Sequence, residues 1–456
     1  MQYLLKGGTL VSPNGSETAD LLIENEKIAA IGENLPVNGA EIVDVRGKLI
    51  FPGFIDAHTH FDLDVSNTTT ADDFRSGTQS AVLGGTTTVI DYACPNKGQT
   101  LWDGLSLWHE KADGKCACDY GFHMTVDDWN DTIKEQIGQM FGEGISSFKM
   151  YMTYPAMMIG DRDLYRALLE IKKYGGIAGV HCENSGVIDA LIAQHQKDGK
   201  TEPSSHPQCR PSALEAEAVG RLLRIAQVAD VPVVIVHLSA QQSLQEVAAA
   251  RARGQKVYVE TCPQYLLLDE SRYLREYTEA AGCICAPPLR QKQDQNALWA
   301  ALADGTVQTV CTDHCSFTHG QKDAGRGDFT KIPGGVPGVE TRGLLLYTYG
   351  VKAGKITKEK MCELLCENPA KLYGIYPQKG TLSVGSDADL VVLDPEQEGV
   401  FSEKTQHSAA GYTPYENMKC SGRIERVYLR GTLTVSDGKL LESAGGKYLH
   451  RGVGSL

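Results

Sequence analysis

The chain has 456 residues, 42% hydrophobic and 22% charged, with a formal net charge of -13. Such a length exceeds one compact core, so one large domain plus a smaller one is expected. The acidic balance offers no basic stripe for nucleic acid, and no apolar run suits a membrane span or a signal peptide, so a cytoplasmic protein is expected.

Residues Gln2 to Lys48 read as short strands and turns. Tyr3-Leu4-Leu5 and Thr9-Leu10-Val11 flank Gly7-Gly8, and Pro13-Asn14-Gly15 is a turn signal. Strand-like runs follow at 20–24 and 27–31. The same character returns far away, at 388–394 and 426–435, and residues 427–438 echo residues 3–15. Neither end has enough strands for a sheet of its own. Residues 1–49 and 377–456 are therefore expected to join as one small composite β domain.

The middle, residues 50–376, alternates strand-like and helix-like segments. Candidate strands are Leu49–Asp56, Thr87–Tyr92, Asp119–Met124, Ser146–Met152, Ile177–His181, Val231–His237, Lys256–Thr261 and Thr306–Thr312. Helical patterns lie between most of them. Eight strands with helical crossovers predict an α/β fold, a (β/α)8 TIM barrel. A doubly wound open sheet is the rival, but no G-x-G-x-x-G follows the first strand. The 13 cysteines are scattered without a C-x-x-C pair, which reads as buried reduced thiols.

Barrel active sites form at the C-terminal ends of the strands. The first strand leads into Asp56-Ala57-His58-Thr59-His60, where alternation puts both imidazoles on one face. The fifth strand ends at His181, the sixth at His237 and the eighth at Asp313. Four of the 12 histidines thus meet at one barrel mouth with a carboxylate, a donor set suited to zinc or a similar divalent metal. Lys149 lies within the apolar fourth strand, where an unpaired ammonium is costly. Burial beside cations favours its neutral amine, which can take up carbon dioxide as a carbamate and bridge two metals.

The stretches H-T-H, S-F-K-M-Y-M-T-Y, V-H-C-E-N, V-H-L-S, V-E-T-C-P-Q-Y-L-L-L-D and C-T-D-H-C-S-F together resemble the hydantoinase/dihydropyrimidinase branch of the cyclic amidohydrolases. The likeness runs over nearly the whole chain and includes residues 327–333 and 385–390. It implies two divalent metals per chain, zinc ahead of manganese or iron, a carboxylated Lys149, and a small composite β-sandwich domain built from both termini. His58, His60, Lys149 and Asp313 would hold one metal, and Lys149, His181 and His237 the other. A hydroxide shared by the metals would attack the amide carbonyl of a cyclic ureide. Tyr154 would assist at that carbonyl, and Asp313 would carry the proton to the leaving nitrogen. The product would be an N-carbamoyl amino acid. The resemblance also implies a homotetramer.

Two departures concern the ring. Ala286-Pro-Pro-Leu stands where the family commonly has S-P-P-L, and Pro333-Gly334-Gly335 where it has P-N-G. Backbone groups at Ala286 and Gly334 would contact the ureide. Both changes, with residues 335–342, resemble allantoinases, which stay open as the alternative. Dihydroorotases carry H-x-H-x-R, whereas Asp62 stands here at the arginine's place and would repel a carboxylate. A scaffold of the same fold that has lost its metal ligands is the reading outside catalysis, and all six ligands are present. Segments 61–71, 94–101 and 154–161 should form the pocket rim, with Phe61, Leu63, Met158 and Ile159 offering apolar contacts and no fixed cation. The Gly-rich segment 315–337 should form a wall of the pocket.

Overall fold

The computed structural model describes residues 2–37, 39–65, 68–441 and 445–456. Eight parallel strands lie side by side in chain order: Phe54–Thr59, Thr86–Ala93, Asp119–Thr125, Ser147–Tyr151, Ile177–His181, Val233–Ile235, Val257–Thr261 and Thr309–Val310. Helices such as Phe74–Leu83, Leu101–Ala112, Asp131–Gly142 and Ser212–Ala229 cover them. Covering both faces is why these strands are apolar throughout rather than alternating. Every residue of Thr86–Ala93 is buried. This is the (β/α)8 barrel expected from the alternation.

Two details differ from expectation. Leu49–Asp56 is not one strand: Leu49–Pro52 pairs with Thr9–Leu10 and Leu390–Leu393 in the terminal sheet, and the barrel strand begins at Phe54. Gly53 makes the crossing possible, because a Cβ there would lie 2.0 Å from Thr87 Oγ1. The chain also adds a helix, Ser185–Lys197, after the fifth strand. Its apolar residues form no clear one-sided stripe, which hides it in the sequence, although Asn184 caps its first turn by accepting from the Val187 amide.

Strands from both ends of the chain form one continuous sheet of nine strands. Leu49–Pro52 and Leu390–Leu393 lie antiparallel at its middle, and Leu5, Leu21, Ile23, Val43, Leu390, Val392 and Tyr428 share its core. Neither half buries that core alone, which ties the ends together. A buried charge cluster joins the sheet to the barrel. Lys379 Nζ lies 2.6 Å from Asp119, 2.7 Å from Asp389 and 3.0 Å from Asp387. All 13 cysteines are free thiols, and all but Cys94 are buried.

The barrel closes between its first and eighth strands with few backbone bonds. Among the described residues a single bridge pairs Thr59 with His314, and the His60 amide donates to the His314 carbonyl at 2.8 Å. The fully buried Asp56 supplies the rest. Its carboxylate accepts from Thr312 N at 3.1 Å, Thr312 Oγ1 at 2.7 Å and His58 N at 3.3 Å. Arg342 donates to the Ile55 and Val310 carbonyls at 2.7 and 2.9 Å and sits 3.8 Å from Asp56. Asp56→Ala should therefore cost about 3–5 kcal/mol, because it strands a buried guanidinium and three donors. Chemical denaturation reads this, and a loss below about 1 kcal/mol would mean that the seam is held by packing.

Candidate active site

The seam delivers the first cluster. His58 and His60 end the first strand, and Asp313 follows the eighth. Asp313 Oδ1 lies 3.2 Å from His58 Nε2 and 3.1 Å from His60 Nε2. One ligand atom from each of the three falls within 4.8 Å of the others, so together they could hold a metal ion.

Lys149 lies under this cluster, 1% exposed, with Nζ 3.3 Å from His58 Nε2. The Tyr92 and Tyr151 rings lie 4.7 and 5.1 Å from it. Among the described residues, no carboxylate comes within ion-pair distance of this ammonium. Burial pushes its pKa down to about 8, against the pull of Asp313 and Glu260. His181 and His237 approach from the far side, their rings 4.5 Å apart, and the His237 ring is 5.4 Å from that of His58. The structure thus brings His58, His60, Lys149, His181, His237 and Asp313 to one place.

Burial holds the imidazoles of His58 and His237 well below their usual range and lowers that of His181. They are neutral rings with a lone pair to give. Burial would raise the Asp313 carboxyl, yet His58 and His60 hold it at about 2. Nδ1 of His60 and of His237 are buried with no hydrogen-bond partner. Buried polar atoms without partners are uncommon, and their presence on two rings of one cluster fits a site that takes a ligand. Neutral imidazoles, an ionised carboxylate and a lysine amine suit divalent metal binding.

Two carboxylates orient the rings, and neither was given a role from sequence. Glu260 Oε1 sits 2.5 Å from His58 Nδ1, turning Nε2 towards Lys149 and Asp313. Glu183 Oε2 sits 2.8 Å from His181 Nε2, which fixes the ring and turns the other nitrogen away from Glu183, and takes Arg210 at 2.7 Å. A glutamate inside the apolar strand Val257–Thr261 was the available signal for Glu260. Arg210 had none: it comes from a polar stretch without a regular pattern. Its guanidinium lies 5.6 Å from the Tyr154 ring, which also meets His181 at 5.2 Å. Tyr154 has φ of 64° and Asp313 φ of 52°, both in the left-handed region. Strain of about 1–3 kcal/mol at such positions marks backbone held for a purpose.

The rim differs from expectation. Phe61 is fully buried against Phe74, with ring centroids 5.7 Å apart, and His314 at 5.4 Å. Its ring fills the space above Gly77, so it supports the first loop rather than lining an entrance. Ile159 is 6% exposed and belongs to the main core. Leu63 and Met158 are half-buried. The rim does carry a fixed cation: Lys97 Nζ donates to the Pro155 and Met158 carbonyls at 2.9 and 3.3 Å. Asp62 is 3.9 Å from Lys111, which partly matches its charge. Ser66 and Asn67 of the first rim segment lie outside the described residues. Ala286 is half-buried, and Gly334 is exposed.

Residues 49–434 match the Amidohydrolase family. The chain belongs to that family. Within it, the chain is 44% identical over 455 residues to a D-hydantoinase of Geobacillus stearothermophilus, covering 99% of this chain and 97% of that one. A D-phenylhydantoinase of Escherichia coli is 41% identical, over 99% and 98% of the two chains. Among solved structures, a dihydropyrimidinase from Brevibacillus agri superposes with a TM-score of 0.98 at 40% identity, covering all of both chains. An L-hydantoinase from Arthrobacter aurescens gives 0.89 at 30% identity, covering 98% and 99%.

Glu260 offers a check on the ring-orienting arrangement. Glu260→Leu leaves His58 free to turn and should weaken divalent metal affinity by about 10–100-fold. Competition against a coloured chelator measures it, and an unchanged affinity would mean that packing alone sets the ring.

Proposed function

We propose that this chain hydrolyses the cyclic amide bond of a ureide, a 5-substituted hydantoin or a dihydropyrimidine, to an N-carbamoyl amino acid. The observation that carries the reading is the meeting of His58, His60 and Asp313 above Lys149, which has no carboxylate counter-ion among the described residues. Full-length relatives named D-hydantoinase support it. The same names weigh against the allantoinase alternative and against a scaffold.

His58, His60, Lys149 and Asp313 would hold one divalent metal, and Lys149, His181 and His237 a second. Bound there, the metals supply Lewis acidity and a water of lowered pKa. Zinc heads the candidates, since these N and O ligands suit it, although manganese and iron share the preference. Lys149 is read as the carbamate bridge: its depressed pKa, about 8, brings the nucleophilic neutral amine within reach of neutral pH.

Asp313, ionised and in contact with both imidazoles, accepts the proton of the attacking water. It returns that proton to the ring nitrogen as the C–N bond breaks. Tyr154 keeps its phenolic proton, because burial raises its pKa, and donates to the developing oxyanion. Backbone groups at Ala286 and Gly334 would hold the ureide edge. Leu63 and Met158 offer apolar contact to a ring substituent, and Asp62 disfavours a carboxylate. The proposal extends to a homotetramer, by resemblance alone, and to a cytoplasmic location, where free thiols persist. No described helix is long and apolar enough to cross a membrane.

Three outcomes test this reading. Lys149→Ala should abolish activity and reduce the two bound metals, Lys149→Arg should not restore either, and a short carboxylic acid should partly rescue the alanine variant. Elemental analysis with kinetics reads both, and full activity in Lys149→Ala would remove the bridge. Tyr154→Phe should slow turnover by roughly 10²–10³, and Asp313→Asn by more, since it also weakens a metal site. Equal, small losses would mean that the roles are misassigned. Finally, kcat/KM should favour hydantoins and dihydrouracil over dihydroorotate. Dihydroorotate or allantoin turned over tenfold better than any hydantoin would overturn the substrate assignment.

A further inference from the structure

Lys322 is 1% exposed and lies in the short helix His319–Asp323, after the eighth barrel strand. Burial pushes its pKa down to about 8, and among the described residues no carboxylate pairs with it. Its three donors instead go to three carbonyls: Pro333 at 2.7 Å, Gly335 at 2.8 Å and Ile284 at 3.0 Å. A buried ammonium without a counter-ion is costly, so one spent wholly on backbone has a job that backbone alone cannot do.

The tied carbonyls are informative. Ile284 also accepts from the Gly335 amide at 2.9 Å. Around it, the Cys285 carbonyl accepts from His206 at 2.8 Å and the Pro287 carbonyl from the Tyr265 hydroxyl at 2.7 Å. The Ala286 carbonyl between them takes no hydrogen bond among the described residues, nor do the N–H and C=O of Gly334. Gly335 has φ of 150°, and a Cβ there would lie 2.3 Å from the Cys315 carbonyl. The segment thus has little freedom beyond the arrangement Lys322 pins. Two stretches distant in sequence each leave one residue's amide groups unspent, and one side chain ties their neighbours together.

We infer that Lys322 is a positioning residue for substrate binding: it ties 284–286 to 333–335 so that the Ala286 carbonyl and the Gly334 amide face one cyclic ureide. This rests on the function proposed above. Lys322 touches neither metal ligands nor the reacting carbonyl. Its loss should blur the registration of two hydrogen-bonding edges and leave the chemistry in place.

The experiment compares Lys322→Met, which has no donor, with Lys322→Gln, which keeps two N–H groups at a shorter reach. With a 5-substituted hydantoin as probe, the methionine variant should raise KM by about tenfold or more, the worth of one or two hydrogen bonds. The glutamine variant should fall between it and the unaltered protein. In both, kcat should stay within about threefold, and metal content by elemental analysis should be unchanged. An unchanged KM in folded methionine variant overturns the inference, as does a fall in kcat at constant KM. Failure of both variants to fold overturns it too, because the tie would then be structural alone. Unaltered protein that opens no hydantoin or dihydropyrimidine is a different failure: it removes the proposed function and this inference with it.

Discussion

A barrel whose ends meet through one backbone bridge needs something else to close it, and here that is a buried carboxylate. Asp56 reaches from the first strand to Thr312 on the last, with Arg342 behind it. The constraint is local in space and general in consequence. His58 and His60 follow Asp56 along the chain, and Asp313 follows Thr312. Fixing Asp56 to Thr312 therefore fixes the two halves of the His58, His60 and Asp313 cluster against each other. The same low-dielectric setting that makes Arg342 expensive to bury makes its hydrogen bonds strong.

Burial then sets the charges of the site. Imidazoles held neutral and a lysine amine pushed down offer lone pairs, while Asp313 stays ionised between two rings. Glu260 and Glu183 work one layer further out, each spending a carboxylate on the turned-away nitrogen of a ring. Arg210 then links the second of these pairs to Tyr154. The left-handed backbone at Tyr154, His237 and Asp313 shows the scaffold holding costly conformations at the barrel mouth.

The periphery follows another rule. Carbonyls there are tied by lysines as well as by isolated backbone bridges: Lys97 holds the loop after the fourth strand, and Lys322 holds the segments at 284 and 333–335. Loops long enough to shape a pocket cannot satisfy their own backbone. A long cationic side chain with three donors serves several carbonyls from one place.

The sequence by itself determined the strand periodicity, the barrel and the residues at its strand ends. Those features depend on neighbours one to a few positions away: His58 and His60 share a face because alternation has a period of two, and Lys149 stands out against the apolar strand around it. The composite sheet was legible too, because residues 427–438 echo residues 3–15. What only the tertiary structure decided were pairings across long separations. Glu260 meets His58 from 202 residues away, and Arg210 reaches Tyr154 from a stretch without regular pattern. Phe61 illustrates the converse. Its place after the first strand suggested a pocket rim, but Gly77 leaves a gap that its ring fills. Periodicity says which way a side chain leaves the backbone, and only the packed neighbours say what it meets.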